Sequence, residues 1–163
     1  MDLKDAVRTT FETADLLVQA YLADLTPQEM LTRPAPDANH VAWQLGHLIT
    51  GEREFVEAGV PGSMPPLPAG FAERYTTDTA VSDKPADFLQ KEEYFAIAKD
   101  VRAATLAVME KLTPTDLDKP VTGRVPPFVK RVGDSFLTAG THWIMHSGQW
   151  VVLRRKLGRE RQF

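Results

Sequence analysis

No cysteine occurs in the 163 residues. That excludes a disulfide framework, a thiolate nucleophile and any cysteine-ligated zinc, and it makes a reducing cytoplasm an ordinary home. No apolar stretch reaches the roughly 18 uninterrupted residues of a membrane span. The opening Met1-Asp2-Leu3-Lys4-Asp5 is charged and lacks an apolar run, so no signal peptide is expected. Positive charge is not pooled either. The net charge is −3, and Lys and Arg are scattered except at Arg154-Arg155-Lys156. That cluster falls at the end of a helical pattern, where cations meet the negative end of the helix dipole. Neither nucleic acid nor a membrane is an expected partner. Strand patterns are nearly absent, and there is no internal repeat or low-complexity tract.

What is present is helical periodicity. The length suits one domain over residues 1–163 with a sizeable core. From Leu3 to Ala23, Val7, Phe11, Ala14, Leu17 and Tyr21 recur at spacings of three and four. Thr26-Pro27-Gln28-Glu29 is a capping-box start, cut short by Arg33-Pro34-Ala35-Pro36. A second long helix is expected from Ala38 to Ala58, with Asn39 as its N-cap. A Pro- and Gly-rich connection over 59–86 should hold no regular element, with Phe71 and Tyr75 anchoring it to the core. A third helix is expected from Asp87 to Leu112, and then a second long connection over 118–132 with a short extended piece at Pro127-Phe128-Val129. The last helix should begin at Asp134 as N-cap and end at Gly158. Phe136, Trp143, Trp150 and Leu157 repeat every seven residues along it. Four helices with long linkers predict an all-α chain, a four-helix bundle with long crossover loops.

The candidate chemistry lies in histidine. The chain has four, and His142 and His146 stand four apart. On a helix that is about one turn, ~6 Å of rise, so both imidazoles leave the same side, as a divalent ion requires. The residue after His142 is Trp143, not the glutamate of a zincin, so this is no metalloprotease motif. Bundle metal sites are built from facing helices, and His47 in mid-helix is the natural third ligand. His40 lies two turns earlier, ~10 Å along the axis, and is expected to be a cap-region or surface residue. On the same line as His47 lie Trp43, Gly51 and Glu54. The use of Gly51 would be to leave room above the imidazole.

In order along the chain, Asn39-His40-Val41-Ala42-Trp43-Gln44-Leu45-Gly46-His47-Leu48, then Arg131-Val132-Gly133-Asp134-Ser135-Phe136, then His142, His146, Ser147-Gly148-Gln149 and Leu157-Gly158 form a pattern. This pattern resembles the signature of the DinB-like superfamily of YfiT type, over essentially the whole chain. The resemblance implies a site of His47, His142 and His146 for a divalent metal, zinc or nickel first. It also implies long crossovers and a homodimer. Relatives of this kind are thiol-dependent transferases or isomerases using bacillithiol, mycothiol or glutathione; some are hydrolases, and many have no assigned reaction. The mycothiol-dependent relatives carry an extra domain that this sequence lacks, which argues against that activity.

Three neutral imidazoles leave a fourth position open, which is the form of a catalytic rather than a structural site. Trp43, Glu54 and Gln149 are the expected pocket residues: a wall one turn before His47, a carboxylate two turns beyond it, and an amide one turn past His146. Three readings compete. One is a metal-dependent thiol transferase or hydrolase acting on a small molecule. Another is a metal- or ligand-binding stress-response protein without catalysis. The last is a bundle that only dimerises.

Overall fold

The computed structural model describes residues 2–160 and Gln162. The apolar stripes fold as four long helices and two short ones: α1 (Leu3–Leu22), α2 (Pro27–Met30), α3 (Val41–Gly59), α4 (Lys91–Lys111), α5 (Pro114–Leu117) and α6 (Val132–Lys156). Among the described residues the single strand-like pairing is the Pro120–Arg131 bridge, so the chain is all-α. No described helix is long and apolar enough to cross a membrane.

Contacts between helices fix their directions. Gly133 packs on Leu3 and Gly140 on Thr10, while Arg154 donates to the Tyr21 carbonyl; α1 and α6 therefore run parallel. Gly59 meets Ser135 and Gln44 meets Gln149, so α3 is antiparallel to α6. Lys91 Nζ donates to the Ala23 and Leu25 carbonyls and Lys4 Nζ to the Glu110 carbonyl, which makes α4 antiparallel to α1 and parallel to α3. Two successive parallel helices cannot be joined by a short loop, because a 19-residue helix is ~28 Å long. This is the reason for the long connection between α3 and α4. It is not devoid of structure: 3₁₀ turns form at Ala72–Tyr75, Thr77–Thr79 and Pro85–Asp87. Phe71 and Tyr75 anchor it, both nearly fully buried. The Tyr75 ring lies so close to Gly46 that a β-carbon there would collide with it, and its hydroxyl meets that of Tyr94 at 2.7 Å.

Several boundaries move from their expected places. The α3 N-cap is His40, not Asn39. His40 is extended and its Nδ1 accepts from the Trp43 amide at 3.1 Å, while the Asn39 carbonyl is taken by Gln44 Nε2 at 2.5 Å. His40 is thus the cap-region residue expected, but it is fully buried rather than at the surface, with Nε2 at 3.0 Å from the Ser82 carbonyl. Helix α4 starts at Lys91, because Pro85–Asp87 closes its own turn and Phe88 is extended. Helix α6 starts at Val132 with Arg131 as N-cap; Asp134 sits at the third position and accepts from the Arg131 amide. Pro127 and Phe128 form a turn rather than an extended piece. Gly158 ends α6 at φ +68°, a left-handed conformation that glycine takes without penalty.

The core is built from Phe11, Leu48, Ile49, Tyr94, Met109, Phe136 and Trp150, all with essentially no exposure. Through it runs a charged crossing that the apolar stripes did not announce. Arg102 of α4 is buried and donates through Nε and a terminal nitrogen to the two oxygens of Glu52 in α3, both at 2.9 Å. Its other terminal nitrogen reaches Asp15 at 2.7 Å and the Phe11 carbonyl at 3.3 Å. Trp143 Nε1 donates to Glu52 as well, at 2.8 Å. One guanidinium thus ties α4 to α1 and α3, and Glu52 extends the tie to α6.

Candidate metal centre

Helices α3 and α6 face each other, and that brings His47, His142 and His146 together. Their candidate ligand atoms all lie within 4.8 Å of one another. His47 Nε2 and His142 Nε2 are 3.2 Å apart. Two nitrogens bound tetrahedrally to one zinc at ~2.05 Å would stand about 3.4 Å apart, so this pair has ligand spacing. His146 lies one turn along, its ring centroid 5.5 Å from that of His47 and 4.9 Å from that of His142.

The rings are fixed by packing. Trp43 stacks on His47 with 4.9 Å between centroids and 13° between planes. Its own Nε1 is directed at Thr79 Oγ1 in the crossover, 3.4 Å away. Phe55 meets His142 edge-on at 6.0 Å. Gly51 does leave room for an imidazole, but for that of His142: a β-carbon at Gly51 would stand 3.3 Å from His142 Nδ1.

Burial sets the protonation. Desolvation lowers all three basicities, since a cation in the seam would lose its hydration. His142 falls to about 3, from desolvation first and then the neighbouring His146 and His47. His146 falls to about 4, from desolvation and then His47. Near pH 7 the site therefore offers lone pairs rather than charge, as metal ligation requires. The buried Nδ1 atoms of His142 and His146 have no partner among the described residues. An unsatisfied buried polar atom costs about 1–3 kcal/mol, which an ion bound at that atom would offset; at His142 the nitrogen with ligand spacing to His47 is Nε2, not the orphaned Nδ1. The donor set and its spacing fit a divalent ion.

The cluster opens on a pocket of about 870 Å³ that includes His47, His142, Gly51 and Phe55 in its walls. Glu54 lines it and is exposed. The other two expected pocket residues lie elsewhere. Trp43 stacks on the His47 ring and is not in the pocket's walls. Gln149 Oε1 accepts from Gln44 Nε2 at 2.8 Å, and Gln44 in turn accepts from Trp150 Nε1 at 2.7 Å. Arg53, Glu57 and Arg124, which no sequence pattern indicated, join the pocket's remaining wall. Arg124 comes from the loop before α6, so no helical periodicity could point to it. Gly123 was the available signal: its backbone presses on Ala58, where a β-carbon would be 2.7 Å from the Ala58 Cα.

A helical bundle with parallel α3 and α4, long crossovers and a tri-histidine cluster between two helices defines the class. The chain's residues 10–150 match the family model of the DinB superfamily, and the protein belongs to that superfamily. No curated protein and no solved structure matches the chain significantly.

Proposed function

We propose that this protein is a divalent-metal-dependent enzyme acting on a small molecule, as a thiol transferase or a hydrolase. The observation that carries the reading is the convergence of three neutral, desolvated imidazoles, two of which, His47 and His142, stand in the wall of an open pocket. A purely structural site would be closed by a fourth protein ligand. Here His47, His142 and His146 would hold the ion, and imidazole donors suit zinc and nickel. When bound, such an ion supplies Lewis acidity and lets a water or a thiol give up its proton near pH 7.

The rest is the chain's own work. Burial keeps the three rings unprotonated. Trp43 and Phe55 hold two of them in orientation, and Gly51 keeps the space beside His142 clear. The pocket admits a small substrate beside the cluster, with Phe55 and Pro126 as apolar surface.

The test is metal content by mass spectrometry on tag-free protein and on His142→Ala, followed by turnover of thiol–electrophile pairs and of ester substrates. The expected result is about one equivalent of zinc or nickel in the parent and little in the variant, with turnover lost together with the metal. Failure of both proteins to take up metal after reconstitution would sink the reading.

A further inference from the structure

Four charged side chains line the pocket beside the histidines: Arg53, Glu54, Glu57 and Arg124. Two of them are tethered to the adjoining loop through backbone groups, though each keeps its charge. The Glu57 carboxylate accepts from the Gly62 amide at 2.5 Å and the Met64 amide at 3.1 Å, and these bonds hold its pKa below the usual carboxylate range. Arg53 Nε donates to the Pro65 carbonyl at 2.8 Å, on the same loop. The two that remain carry opposite signs. Glu54 and Arg124 are exposed, and neither has a hydrogen-bond or ion-pair partner among the described residues. They do not pair with each other either.

The backbone fixes where they stand. Glu54 lies on α3 three residues after Gly51, and the helix sets its position. Arg124 follows Gly123, whose amide donates to the Ala58 carbonyl at 3.3 Å and whose missing side chain permits the contact. The loop's two arms are closed by Val121 N to Lys130 O and Val132 N to Lys119 O, both at 2.9 Å. One unpartnered anion on the helix wall and one unpartnered cation on the loop wall therefore border the same cavity. Apolar surface from Phe55, Val125 and Pro126 belongs to the same walls.

We infer that Glu54 and Arg124 are specificity-determining residues for a small zwitterion, a molecule with an ammonium for Glu54 and a carboxylate for Arg124. This deepens the proposed function and rests on its reading that the pocket takes a small molecule. A carboxylate alone would leave Glu54 unmatched and repelled; an ammonium alone would do the same to Arg124. A charge pair at an exposed site is worth at most roughly fivefold in affinity.

The experiment is ligand-observed NMR with γ-aminobutyrate and ε-aminocaproate, each matched against the anion, the cation and the neutral amide of equal length. It is run on metal-free and on zinc-loaded protein, and on Arg124→Ala and Glu54→Ala. Both residues are exposed, and thermal unfolding checks that the variants fold. The expected result is tighter binding of at least one zwitterion than of its matched anion and cation. Arg124→Ala removes the advantage conferred by the carboxylate, and Glu54→Ala the advantage conferred by the ammonium, with metal content unchanged. Equal binding of singly charged probes, a ranking that survives both substitutions, or no binding of any probe would overturn the inference. The ranking without metal uptake would support it while overturning the metal-dependent function. Metal uptake without the ranking would do the reverse.

Discussion

Replacing Arg102 by methionine tests the charged crossing at the centre of the bundle. Arg102 is 8% exposed and Glu52 is 1% exposed, so neither charge has water to fall back on. The guanidinium makes two bonds to Glu52, one to Asp15 and one to the Phe11 carbonyl, and it stacks over the Phe11 ring at 4.1 Å. Methionine keeps most of the apolar stem and removes every one of those donors. Glu52 is then left in the core with the Trp143 indole N–H alone. Removing one partner of a buried pair costs about 3–5 kcal/mol, because the stranded charge dominates over the lost attraction. In a chain of this length each kcal/mol moves Tm by about 2–4 °C, so Arg102→Met should lower it by roughly 6–20 °C. The double variant Glu52→Met/Arg102→Met removes both charges and should recover a large part of that loss, since an apolar replacement of a buried pair is often nearly neutral. The assay is urea unfolding followed by far-UV circular dichroism, with calorimetry, on metal-free protein. A cost below ~1 kcal/mol for the single variant, or a double variant as unstable as the single, would refute the claim that burial rather than Coulomb attraction sets the magnitude.

Other perturbations read the site directly. Gly51→Ala should weaken metal binding by crowding His142, measured by competitive chelator titration, while in the metal-free protein the same crowding opposes a helix gain of up to about 1 kcal/mol. His40→Ala should cost about 0.5–2 kcal/mol in urea unfolding through loss of the α3 cap, with an added cavity penalty because the ring is fully buried. For pH, the unfolded histidines bind protons near 6.5, whereas His146 resists until about 4 and His142 until about 3. The unfolded state therefore binds more protons in that window, and stability present above pH 6.5 should fall as the pH drops toward 3. Denaturation of metal-free protein across pH 7 to 4 should show this slope, flatter in His142→Gln.

Much of this molecule is local in origin. Apolar residues three and four apart can be read as helices because burial of one stripe is what makes a helix of this length stable, and Val7, Phe11, Ala14 and Phe136, Trp143, Trp150 do occupy the core. The i,i+4 spacing of His142 and His146 is likewise a property of one helix, and so is the exclusion of disulfide and thiolate chemistry by the missing cysteine. Helix ends were less legible. Asn39 and Asp134 are better caps by type than His40 and Arg131, but the cap is decided by which residue is extended when the chain meets its neighbours.

Whatever joins distant segments was decided only by tertiary structure. The union of His47 with the α6 pair depends on α3 lying antiparallel to α6. Arg102 and Glu52, fifty positions apart, look like two ordinary surface charges until α3 and α4 pack in parallel. Arg124 enters the pocket because Gly123 lets a loop touch Ala58, and a loop has no periodicity to announce its side chains. Periodicity records which side of a helix is dry. Which dry sides meet, and which charges are sealed between them, depends on the packing of the whole chain.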